Sequence, residues 1–71
     1  MQIRRDLPSL AERRALRQAA GLSTSELAKA IGVSKQAVTS WENGTRNPRG
    51  IHLDRYVDAL RALRDEIAKA A

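Results

Sequence analysis

Lys35, Gln36, Thr39, Ser40 and Asn43 recur at spacings that place them along one face of a helix, with Ala37, Val38 and Trp41 on the other. The polar set has the chemistry of base recognition. Gln36 is able to pair bidentately with adenine, Lys35 to donate to guanine O6 and N7, and Thr39 and Ser40 to hydrogen-bond a base edge or touch a thymine methyl. Taken alone, the same residues describe only the solvated face of a helix. What decides between the two readings is how the neighbouring elements place that face.

Local signals define those elements. Ser34 caps the helix carrying the polar face, which runs to about Asn43 and is stopped by Gly44. Upstream, Ser9 and Glu12 have capping-box spacing, and Leu10, Arg13, Leu16, Arg17 and Ala20 then keep a helical period as far as Gly21. Ser23 and Glu26 form a second box, with Leu22 and Leu27 spaced as a hydrophobic staple, opening a short helix through Ala28 and Ile31 to Gly32. Thr45–Gly50 has the Asn-Pro and glycine of a loop. From about 51 to 69 a last helix carries Leu53, Tyr56, Leu60, Leu63, Ile67 and Ala70 at alternating spacings of three and four, the heptad rhythm. Residues 1–8 keep no period and are expected to form a flexible arm, with residues 9–71 as one domain. Arg4 and Arg5 in that arm either reach a neighbouring DNA groove or simply solvate the terminus.

Two short capped helices joined by Gly32-Val33-Ser34, the second displaying small polar and basic side chains, meet the requirements of a helix-turn-helix over residues 24–43. Ala28 lets the helices approach, Gly32 suits a turn with positive φ, and Val38 and Trp41 plug the core. Phosphate is expected at the start of the first of these helices, where Ser23 and Thr24 offer backbone donors and the positive end of a helix dipole.

The 71-residue chain has a net charge of +5, and the excess is localised. Residues 1–49 hold nine basic and four acidic side chains, residues 50–71 four of each. A one-sided positive surface attracts polyanions. No segment approaches the ~18 apolar residues of a membrane span, and Met1–Asp6 lack the apolar core of a signal peptide, so the expected location is the cytoplasm, at the nucleoid when bound. The chain has no cysteine, and His52 has no second ligand at metal spacing, so it reads as a surface or capping histidine. No metal or other cofactor is expected. No nucleophile, base and orienting group form a set, which argues against an enzyme. One Trp, one Tyr and no Phe give few platforms for stacking RNA bases. Asp54, Asp58, Asp65 and Glu66 alternate with Arg55, Arg61, Arg64 and Lys69 as on a salt-bridged helix face.

The run from Arg17 to Pro48, RQAAGLSTSELAKAIGVSKQAVTSWENGTRNP, resembles the lambda repressor and Cro-like helix-turn-helix proteins, the XRE family. Its words GLSxxELA, IGVS and WENG occur in the family's order. With flanking helices the resemblance covers about residues 9–60. It implies an all-α fold, a compact lambda-repressor-like bundle of four to five helices, here with an extended C-terminal helix. It implies a sequence-specific, double-stranded DNA-binding transcriptional regulator, a phage or bacterial repressor that reads operator DNA as a homodimer through the major groove with helix 3. Asn43, Thr45 and Arg46 then follow the recognition helix where the family grips the DNA backbone, with added charge from Arg13 or Arg14. The resemblance also sets Arg17 opposite Glu42 as a structural, partly buried ion pair. The chain departs from the family beyond Leu60, where Arg61–Lys69 continue the helix in place of a turn. Leu63 and Ile67 there either fold back along the first helix or form the dimer contact, and dimerisation is the preferred expectation. The alternative function is a helix-turn-helix antitoxin or phage accessory protein whose C-terminal helix binds a protein partner.

Overall fold

A computed structural model describes residues 7–70. Arg4 and Arg5 lie outside the described residues. Four helices follow one another without a strand among them: α1 (Leu10–Ala19), α2 (Thr24–Ile31), α3 (Lys35–Asn43) and α4 (Gly50–Ala70). The local signals produce these ends by identifiable bonds. The α2 box is complete, with Glu26 N–H donating to Ser23 Oγ at 3.0 Å and Ser23 N–H to Glu26 Oε1 at 2.8 Å. At α1 only the forward half forms, Glu12 N–H to Ser9 Oγ at 3.3 Å, because the Glu12 carboxylate turns instead to Arg64 of α4 at 3.3 Å. Ser34 accepts from Ala37 N–H to open α3. Gly32 and Gly44 close α2 and α3 at φ 90° and 79°, a left-handed conformation costly to any residue with a Cβ.

α3 packs against α1 and α2, and α4 closes the other side of the same pair. Leu27, Ala28, Ile31, Val38, Trp41, Tyr56 and Leu60 form the buried cluster between them. Trp41 and Tyr56 meet inside it, ring centroids 4.8 Å apart and tilted by 45°, a favourable aromatic geometry. Burial fades along α4: Tyr56, Val57 and Leu60 are enclosed, Leu63 and Ile67 are half-buried, and Ala70 is exposed. Leu63 packs against the core of its own chain and stays half-buried. The α4–α1 contact and the Arg64–Glu12 pair put this part of the tail along α1. Leu7 and Pro8 are the described residues of the segment expected to form the arm. Leu7 packs on the core, and the Pro8 carbonyl accepts from Arg13 Nε at 2.8 Å.

Polar groups complete the interior. Arg17 grips Glu42 through two parallel bonds, Nε to Oε2 at 2.6 Å and Nη2 to Oε1 at 3.0 Å, and its Nη1 donates to the Leu22 carbonyl at 2.9 Å. The Glu42 side chain is 3% exposed and that of Arg17 12%. This hydrogen bond to Glu42 raises the Arg17 pKa above its ordinary value. Tyr56 is wholly buried, and its hydroxyl is the one buried side-chain polar atom among the described residues without a hydrogen-bond partner. Burial, and then the negative charge of Glu42, push its pKa from 10.0 to about 12.

Two measurements check this interior. Glu42→Gln leaves the enclosed Arg17 guanidinium uncompensated and is expected to lower unfolding free energy by about 3 kcal/mol in urea titrations. Arg14→Met, which removes a half-exposed partner of the same carboxylate, should cost under about 1 kcal/mol. Equal losses from both would refute the assignment. The fold accommodates Tyr56 as the neutral phenol, so stability is retained below pH 10 and falls as pH climbs through 12. Because the chain has a single tyrosine, absorbance at alkaline pH reads this residue alone. Tyr56→Phe should remove this contribution to alkaline unfolding and be neutral or stabilising by up to about 1 kcal/mol near pH 7; a clear loss of stability there would show that the hydroxyl has a partner.

Candidate nucleic-acid interface

The inward side of α3 is fixed by burial of Val38, Trp41 and Glu42, and this determines what the outward side offers. Lys35, Gln36, Thr39 and Asn43 are exposed on it, and Ser40 is half-buried. Ser34, Gln36, Ala37, Ser40 and Arg46 border a polar notch beside the helix. A larger cleft of about 590 Å³ continues from it between Trp41, the Thr45–Arg49 loop and His52. Arg46 lines both.

The loop is tied to α3 through one carbonyl. Ser40 O accepts from Gly44 N–H, from Thr45 N–H at 3.1 Å and from Arg46 N–H at 3.4 Å. Thr45 also directs its hydroxyl proton at the same oxygen, 3.4 Å away, a long bond for which a phosphate oxygen would compete. Arg14 lies at the far edge of α3, with its Nη2 3.0 Å from Asn43 Oδ1 and its Nε 3.6 Å from Glu42 Oε1. A guanidinium only donates, so the Asn43 atom facing Arg14 is the carbonyl oxygen, which leaves the amide NH2 for an outside acceptor. Arg14, Asn43, Thr45 and Arg46 therefore gather at and beyond the C-terminal end of α3.

Ser23 and Thr24 stand at the other edge, at the start of α2. The capping box occupies the amides of Ser23 and Glu26, leaving the Thr24 and Ser25 amides as first-turn donors. The Ser23 hydroxyl accepts from Glu26 N–H within the box. The backbone and side-chain bonds from Ser23 hold the Glu26 carboxylate below the usual range.

Arg13 corrects the sequence expectation. It is buried, 8% exposed, and its guanidinium donates to the Pro8 carbonyl and, at 3.0 Å, to the Trp41 carbonyl. It ties α1 to α3 within the fold. Its place in the apolar period of α1, between Leu10 and Leu16–Arg17, is the signal that identifies it as inward-facing. Arg55 was hidden among the alternating charges of α4. Its Nη1 lies 3.5 Å from the Ile31 carbonyl, at the end of α2 where the turn begins. His52 lines the cleft, and no cluster of His, Cys, Asp or Glu among the described residues could hold a metal ion.

Comparison with curated proteins and with solved structures gave no match. A family model described as helix-turn-helix matches residues 14–67, a span that takes in α2, the turn, α3, the loop and most of α4. That span is well over half the chain, and the protein belongs to the helix-turn-helix family of the lambda repressor and Cro type, the XRE family, a DNA-binding regulatory family.

Proposed function

We propose that the protein is a sequence-specific transcriptional regulator of repressor type, phage or bacterial, that reads double-stranded operator DNA by inserting α3 into the major groove. The observation that carries this reading is the division of α3 into a buried face anchored by Val38, Trp41 and Glu42 and an exposed face bearing Lys35, Gln36 and Thr39. Residues suited to phosphate flank that face on both sides: Ser23 and Thr24 before it, and Arg14, Asn43, Thr45 and Arg46 after it. Ser40, half-buried beside the notch, reads from the margin. The protein works in the cytoplasm, at the nucleoid when bound; no helix among the described residues is long and apolar enough to cross a membrane.

The operator is read by a homodimer, whose two recognition helices fall about one DNA turn, ~34 Å, apart. Leu63 and Ile67, both half-buried on α4, are the contact candidates from the heptad series. The half-burial of Ile67 near the end of α4 also supports the second reading, in which the last turns capture a different protein, as in an antitoxin or phage accessory protein.

Selection of bound sequences from random DNA tests the proposal. An inverted repeat with half-sites about one turn apart is expected, and recovery of no preferred sequence would overturn it. Gln36→Ala should relax preference at one base pair per half-site by about 1–3 kcal/mol. Arg46→Gln should weaken binding to all sequences alike and reduce the salt slope by about 1. A stable complex with a heterologous protein at salt that abolishes DNA binding would favour the second reading, and a monodisperse homodimer would count against it.

A further inference from the structure

Thr39 lies in the middle of the exposed face of α3, one turn beyond Lys35 and Gln36. Its Oγ1 is 3.1 Å from the Lys35 carbonyl oxygen. A carbonyl has no proton to give, so the hydroxyl must be the donor, and a threonine hydroxyl has one proton. That proton is therefore committed to the helix's own backbone. Threonine is branched at Cβ and stiff about χ1. Turning the oxygen back to the preceding turn fixes the methyl group as well, and leaves it as the part of this exposed side chain not bound to the backbone.

This narrows what Thr39 can recognise. Guanine presents only acceptors in the major groove, N7 and O6, and a Thr39 without a proton to donate has nothing for them. Thymine presents an acceptor, O4, and a C5 methyl group that no other base has. Lys35, Gln36 and Asn43, the other exposed side chains of α3 named for DNA contact, all end in nitrogen donors. The Thr39 methyl is the apolar contact on that face. On the reading of α3 as the recognition helix, we propose that Thr39 is a specificity-determining residue that selects thymine through methyl–methyl contact, with its hydroxyl proton serving to hold the rotamer.

Replacement of thymine by deoxyuridine removes the C5 methyl and leaves base pairing and O4 intact, so it isolates the contact. Each thymine in the selected operator is replaced in turn, and wild type, Thr39→Val and Thr39→Ser are compared, with circular dichroism confirming that the variants fold. At one position per half-site deoxyuridine should weaken wild-type binding about fourfold, the worth of one methyl group taken out of water. Thr39→Val keeps the methyl and should keep that sensitivity and the preference for thymine. Thr39→Ser should bind the thymine operator about fourfold more weakly and be indifferent to deoxyuridine there. Thr39→Val losing the preference while Thr39→Ser retains it would overturn the proposal in favour of hydroxyl readout. Tolerance of deoxyuridine by wild type at every position would overturn it too. A selection that returns no operator sinks the DNA-reading function itself, whereas an operator read without Thr39 sinks only this inference.

Discussion

A carboxylate withdrawn from water sits in the last turn of α3. Glu42 has a side chain 3% exposed, and an ionised carboxylate in that position is tolerable only with cations and donors close around it. α1 supplies them: Arg17 holds both oxygens, and Arg14 approaches one from the rim. Since Glu42 is on α3 and its partners are on α1, the cost of separating charges sets the angle and depth at which α3 lies. Breaking that arrangement would strand a charge, so the position of α3 is specified more sharply than apolar packing alone would achieve.

Much of the remaining structure is arranged around this point. Arg13, on the same helix as Arg17, seizes the Trp41 carbonyl one residue before Glu42, so consecutive residues of α3 are held from α1 by different arginines. Trp41 is thereby fixed over Tyr56 of α4, joining the third and fourth helices through the core. On the exposed side, Arg14 extends from Glu42 to the Asn43 amide. One network thus runs from the interior to the exposed Asn43 side chain at the end of α3. The cations of α1 divide into those that build the scaffold and one that reaches its edge, which explains why the charge total alone says little about affinity.

The parts legible in the sequence are those encoded by short-range chemistry. Ser23, Ser34, Gly32 and Gly44 mark helix ends because capping and left-handed turns depend on residues within one turn of each other. The apolar spacing of Val38 and Trp41 gave the inner face of α3, and with it the outer face. Features governed by distant partners were not legible. Arg13 and Arg14 are adjacent and chemically identical, and about 100° of helical rotation sends one to the Trp41 carbonyl and the other to Asn43. Glu12 has the spacing of a capping box, but a cation 52 residues away competes for it. The heptad series of α4 identifies a face without naming what covers it, and in the fold Leu63 packs against the core of its own chain. The Thr39 hydroxyl has both a local acceptor and an outward direction open to it, and residue type does not choose between them.

α4 continues without interruption from beside the turn of the DNA-reading motif to Ala70, 21 residues and roughly 31 Å of helix. Its first half is clamped in the core. Its last turns therefore inherit a fixed rotational phase relative to α3, advancing about 100° for every residue. The helix is in effect a drive shaft: whatever engages its distal end is oriented about its axis in register with α3, and adding or deleting one residue beyond Leu63 would swing that engagement by more than a quarter turn while leaving the exposed face of α3 unchanged.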